Sequence, residues 1–170
     1  MTVGRFLPGL EVLTTGSFNP LLVVSSILLS SLAAYAALAV AARAESSRLA
    51  LTRRAWLLLG AVVLAAGVWG MHFTGILARQ TPYLAGYTLG LVLLSIVPAL
   101  VGGAIVLASL THQPMSTSRL HLTGLALGLG IAAMHYLGME GLATSATIRY
   151  RAEPFVASLV AAYLLATAAL

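Results

Sequence analysis

Hydrophobic runs of spanning length, about twenty residues each, recur along the chain, broken by short stretches where Arg, Ser, Gly and Pro gather. They cover Pro20 to Ala42, Ala55 to Leu77, Tyr87 to Leu110 and Leu120 to Thr144, and a fifth opens at Pro154 and reaches Leu170. Each run predicts a helix crossing a lipid bilayer, because a helix satisfies its own backbone hydrogen bonds where no water can. The expected architecture is all-α: a polytopic transmembrane bundle with four full spans and a fifth at the C-terminus. The Ala42-Arg43-Ala44 stretch before Glu45 weakly resembles a signal-peptidase site. The apolar run before it is too long for a signal peptide, however, and Arg43, Arg48, Arg53 and Arg54 follow at once, so the span is expected to be retained.

Those four arginines also set an orientation, since short basic loops stay on the cytoplasmic side. The N-terminus then faces out, the Leu110 to Leu120 loop faces the cytoplasm, and the loops around Arg79 to Gly86 and Ser145 to Glu153 are external. Arg149 and Arg151 oppose this arrangement. Composition agrees with membrane residence: 60% of residues are hydrophobic, 8% are charged, and the mean hydropathy is +1.00, too apolar for a core wrapped in polar surface. The net charge of +5 comes from Arg alone on the basic side, and no segment joins clustered Arg to a polar recognition helix, so the partner expected is the lipid bilayer and not nucleic acid. Cysteine is absent, which excludes disulfides and thiolate metal sites and leaves His, Met and Glu as candidate ligands.

Pairing the helices exposes an internal repeat. Within Leu58 to Ala78 and Thr123 to Gly141 an offset of 63 residues matches Gly67 to Gly130, Met71 to Met134, His72 to His135 and Gly75 to Gly138. The odd-numbered spans repeat too: Ser26 and Leu38, Ser95 and Leu107, and Ser158 and Leu170 share a 12-residue spacing. The predicted organisation is an external segment over 1–18 and a membrane domain over 19–170, with one repeat at 19–78, a second at 84–144 and the start of a third at 150–170.

The chemistry concentrates in Met71-His72-Phe73-Thr74-Gly75 and Met134-His135-Tyr136-Leu137-Gly138. An ionisable ring inside a bilayer is costly, and two in register point to a shared ligand or proton site. Residues four apart share a helix face, so His135 and Met139 can present an imidazole nitrogen and a thioether to one point. Met71 and Met134 adjoin the histidines, while Ile76 stands where the second copy has Met139. Imidazole with thioether suits copper, giving Met71, His72, Met134, His135 and Met139 as the candidate metal ligands. Glu140 could add a hard ligand, brace a ligating imidazole or face water. Gly70, Gly75, Gly138 and Gly141 are expected to clear space around the histidines and let helices approach. Gly124 and Gly128 form a small-residue packing face, and His112 and His121 are expected to face solvent or headgroups, far from the motif pair.

These residues resemble the MHYT family of bacterial integral-membrane sensor domains, named for a repeated Met-His-Tyr-Thr motif. The likeness runs from Phe18-Asn19-Pro20 through GVWGMHFTGILA and GLGIAAMHYLGMEGLA to Leu170. It implies a multi-pass protein of the bacterial inner membrane with its motifs near the outer face. It further implies a non-enzymatic sensor that binds copper, possible detection of oxygen, carbon monoxide or nitric oxide through the metal, and signalling to a cytoplasmic partner or cyclic-di-GMP enzyme domain. The family pattern has three motifs where this chain has two, with Phe73 in place of Tyr and Leu137 in place of Thr. Two other functions fit the residues: a haem-binding or electron-transfer protein using His72 and His135, and a small transporter or proton path. The second is disfavoured because no helix is expected to break near midbilayer, although Pro98 could kink the third span.

Overall fold

A computed structural model describes residues 17–79, 85–111, 114–144 and 151–170. Helix α1 runs Pro20–Ser46, α2 Ala50–Ala78, α3 Leu89–Leu94, α4 Ile96–Leu110, α5 Thr117–Glu140 and α6 Ala152–Ala168, with short strands β1 at Ala85–Tyr87 and β2 at Leu142–Thr144. Four spans, α1, α2, α3 with α4, and α5, are long and apolar enough to cross a membrane, and α6 is a shorter apolar helix. The chain is a multi-pass membrane protein. His112, Arg149 and the loop residues 145–150, on which part of the topology reading rested, lie outside the described residues, as does most of the external segment.

Local sequence sets the helix ends. Asn19 caps α1, its Oδ1 accepting from the Leu21 and Leu22 amides, with Pro20 at the first helical position where its missing N–H costs nothing. Ser116 caps α5 by accepting from the Arg119 amide. At the far end of α1, the Ser46 and Ser47 hydroxyls donate to the Ala42 and Arg43 carbonyls and satisfy groups the helix end leaves open. α1 and α2 thus run past Arg43, Arg53 and Arg54 and leave a turn of only Ser47 to Leu49.

The hydrogen-bond ladder of the third span is interrupted near its start, in line with the expectation that Pro98 could kink it, while Leu89–Leu110 remains long enough to cross the membrane. Pro98 has no N–H to offer the Leu94 carbonyl, so the ladder loses a bond there, and the chain turns at Ser95 between α3 and α4. The Ser95 hydroxyl, fully buried, donates to the Val92 carbonyl at 2.7 Å.

The sequence repeat is a repeat of packing. The Asn19 amide donates to the Ala78 carbonyl at 2.8 Å, and the Thr88 amide donates to the Gly141 carbonyl at the same distance, tying the starts of the first and third spans to the ends of the even helices they pack against. Alongside these bonds the Phe18–Arg79 bridge matches the Tyr87–Leu142 pair of the antiparallel β1–β2 ladder. Inside the bundle a Cβ on Gly67 would collide with Ala33 of α1, and one on Gly130 would stand 2.7 Å from the Pro98 carbonyl and 3.3 Å from Gly102 of α4. Small residues permit this backbone approach, which dispersion then stabilises where lipid offers no hydrophobic driving force. Gly124 and Gly128 pack on Thr167 and Tyr163 of α6, as expected of that face. At the end remote from the histidines, Leu38, Leu107 and Leu170 converge on one apolar cavity of about 350 Å³, with Leu64 and Leu127 from the even helices.

Candidate functional site

His72 on α2 and His135 on α5 meet, their Nδ1 atoms 3.3 Å apart and their rings edge to face at 75°. Both sit within two turns of the ends of their helices, which places them at one depth below the β1–β2 ladder. His72 is buried and His135 half-buried. Close contact depends on Gly138: a Cβ there would stand 2.8 Å from His72 Nε2 and 3.1 Å from its Cδ2. Of the four glycines expected to clear space for the histidines, this one does so. Gly70 faces Leu29, Gly141 faces Val92, and Gly75 has nothing within 4 Å of its Cβ position, so those three serve helix packing or no contact at all. A glycine's neighbours depend on how the helices are rotated, which spacing along one helix does not reveal.

The two Nδ1 atoms can share one hydrogen bond only if one ring donates and the other accepts. His72 Nε2 is buried with no hydrogen-bonding partner among the described residues. If His72 accepted at Nδ1, that orphan would be an N–H, the costlier group to strand. The favoured arrangement has His72 donating from Nδ1 and keeping a bare lone pair on Nε2.

The methionines divide. Met134 is buried in an apolar cluster with Ala65 and Ala99, packed by Val68, Trp69, Ile96 and Leu100, and there it fills the core. Met71 and Met139 are half-buried on the two histidine helices. Glu140 is exposed at the end of α5. Among the described residues no group of three or more His, Asp or Glu could hold a metal, so any ligand set here is two imidazoles supplemented by sulfur. Two nitrogens 3.3 Å apart match the spacing of ligands each about 2.0–2.1 Å from one ion at a tetrahedral angle, and an ion between them would take both Nδ1 lone pairs, with the His72 proton moved to Nε2. The donor set fits a soft, low-coordinate copper site on these grounds.

Aromatic rings surround the pair. Phe73 contacts the His72, Trp69 and Tyr87 rings, and Tyr136 lies against His135 and Phe155. Two of these rings anchor the histidine helices by hydrogen bonds that sequence reasoning missed. Trp69 Nε1 donates to the Val92 carbonyl at 3.0 Å and to Ser95 Oγ at 3.1 Å. On α6, the Ser158 hydroxyl donates to the Phe155 carbonyl, so at its 2.7 Å contact with Tyr136 the phenol is the donor. The repeat marked Ser95 and Ser158 as equivalent, but Trp69 aligns with Ala132 and not with Tyr136, so the alignment could not pair their donors. His121 is exposed, as expected, and its Nδ1 also lies 2.8 Å from the Tyr163 hydroxyl, joining α5 to α6.

A family model described as the bacterial signalling protein N-terminal repeat, MHYT, matches residues 66–123 and 128–170. The chain belongs to the MHYT family. MucR, a bifunctional diguanylate cyclase/cyclic di-GMP phosphodiesterase of Pseudomonas aeruginosa, is 43% identical over 74% of this MHYT chain and 18% of its own length. NbdA, a cyclic di-GMP phosphodiesterase of the same organism, is 32% identical over 89% of the chain and 19% of its own length. The signalling protein YkoW of Bacillus subtilis is 30% identical over 86% of the chain. The chain thus spans about a fifth of the length of these curated relatives. No solved structure matches. As an MHYT domain the chain is a membrane sensor module of signalling proteins, and the enzymatic activities of its relatives belong to those longer proteins.

Proposed function

We propose that this MHYT domain binds copper between His72 and His135, with Met139 and Met71 as supplementary sulfur ligands, and reports its occupancy to a cytoplasmic cyclic-di-GMP enzyme domain or partner. The observation that carries the reading is the meeting of two imidazoles from different helices inside an apolar bundle, their Nδ1 atoms turned to one point. Met134 packs in the core and is not counted among the ligands. The rings touch edge to face, which suits a small shared ligand better than a haem held flat between them.

Copper would supply a site for one-electron change and for binding a diatomic gas, which is how oxygen, carbon monoxide or nitric oxide would enter the reading. The protein's part is to hold two helices at a distance that depends on what lies between their histidines. A signal arises only if the ligand has different affinity for two helix arrangements. By the positive-inside rule, Arg43 to Arg54 mark the cytoplasmic side of the bacterial inner membrane, the histidines lie toward the outer side, and the N-terminus is outside. The cyclic di-GMP titles of MucR and NbdA support an output of that kind.

Metal content and absorption of detergent-purified protein test the proposal. Wild type loaded with copper is expected to retain it and the His72→Ala, His135→Ala double variant to lose it; equal retention would sink the copper reading.

A further inference from the structure

The apolar cavity remote from the histidines is walled by ten residues, all Ala, Val or Leu, from α1, α2, α4, α5 and the residues that close α6. Val106 and Leu107 on its inner wall are buried, so it reaches into the bundle. Leu38 also lines it and is 58% exposed, so the cavity opens beside α1, which among the described residues does not pack along α6. Its length follows from the register of the helices. Gly60 lies level with Leu107 and Gly67 with Ala33, so the wall from Leu110 to Ala34 extends about 13 Å at 1.5 Å per residue. That is close to one leaflet of a hydrocarbon core about 30 Å thick, and it begins about one turn inside Arg54.

We infer that this cavity is a site for one hydrocarbon chain, the tail of a phospholipid or of a free fatty acid, which enters past Leu38 from the leaflet at the arginine end. Water is a poor occupant, because a buried water needs about two to four polar partners and no lining side chain supplies one. A helix from a second copy does not fit. It would be about 10–12 Å across its side chains, whereas 350 Å³ spread over the length of the cavity leaves the width of a single alkyl chain. Hydrocarbon fits in kind and in amount: an apolar cavity of about 150 Å³ takes benzene, and this one has more than twice that volume. Leu64 and Leu127 on its wall precede His72 and His135 on the same helices by about 12 Å of helical rise. The site is therefore separate from the histidine pair and does not rest on metal binding.

Photolabelling of the full chain in phosphatidylcholine proteoliposomes tests the site. One arm carries a phosphatidylcholine with a diazirine midway along an acyl chain, the other a free fatty acid with the same group, and labelled residues are mapped by mass spectrometry. Labels are expected on Leu64, Leu107 and Leu127 of the wall, as well as on Val62, Ile105 and Leu125, which face outward at the same level. The arm that labels the wall identifies the source of the chain. Ala34→Leu with Ala37→Leu fills the cavity and removes the wall labels, while those on Val62, Ile105 and Leu125 remain. Should that protein not fold, Leu38→Trp, at an exposed position over the mouth, blocks entry instead. The His72→Ala, His135→Ala double variant keeps the wall labels whatever becomes of its copper. Labels confined to the outward residues in both arms, or wall labels that survive the filling and blocking changes, overturn the site. The chain has no cysteine, so Leu38→Cys adds a single thiol. Disulfide-linked dimers of that variant in the membrane, with the wall of the unmodified chain unlabelled, overturn the hydrocarbon assignment in favour of a second copy.

Discussion

Gly138 of α5 is the surface on which His72 of α2 rests: its missing side chain leaves room for an imidazole whose Nε2 lies 2.8 Å from where a Cβ would be. Gly138→Ala therefore pushes His72 away from His135. Overpacking of this kind costs about 1–3 kcal/mol, to be read from the unfolding of the purified protein. The same variant is expected to lose copper with both histidines still present.

Gly75, within one turn of the equivalent end of α2, has nothing within 4 Å of its Cβ position. Gly75→Ala is the matched control, expected to shift stability by no more than about 0.5 kcal/mol and to leave metal content unchanged. A loss of copper equal to that of Gly138→Ala would contradict the account of how space around the histidines is made.

His72 buries one nitrogen with no hydrogen-bonding partner among the described residues, and its other ring nitrogen bonds His135. Replacing both partners of a buried hydrogen bond by apolar groups of similar shape is close to neutral for stability. The His72→Phe, His135→Phe double variant is thus expected to change unfolding stability by less than about 1 kcal/mol while abolishing copper retention. A large destabilisation with copper retained would make the two histidines structural residues.

Trp69 and Ser95 join the first histidine helix to the break in the third span. Trp69→Phe and Ser95→Ala each lose a bond worth about 0.5–1.5 kcal/mol. A double-mutant cycle is expected to give a coupling energy of at least about 0.5 kcal/mol. Additive effects would show that the contact carries no energy of its own.

Glycine packing between the repeats sets the frame for all of these. Gly130→Leu drives a side chain into the Pro98 carbonyl and Gly102, parting α4 from α5. The expected outcome is loss of the folded bundle, seen as a collapsed melting transition or aggregation on purification. A variant that melts like wild type would show that the close approach of these helices is dispensable.

The sequence by itself determined the membrane class, four spans, the repeat and the two histidines, because each is written in local terms: hydrophobic run length, a fixed offset, an ionisable group in an apolar context. Placing His72 and His135 as equivalents at one depth was also legible, since equal positions in equal helices lie at equal heights. What only tertiary structure decided was rotation and contact. It turned Met134 into the core and gave Gly138, rather than Gly75, the task of admitting His72. It also set Trp69 against Ser95 and Tyr136 against Ser158, pairs that no alignment offset links, and gave His121 a partner in Tyr163. Pro98 was visible in the chain, but only the structure shows that beside its interruption a buried serine and a tryptophan from the neighbouring helix donate to the Val92 carbonyl. Helix faces are fixed by packing against other helices, and in lipid that packing is the larger part of what holds a bundle together.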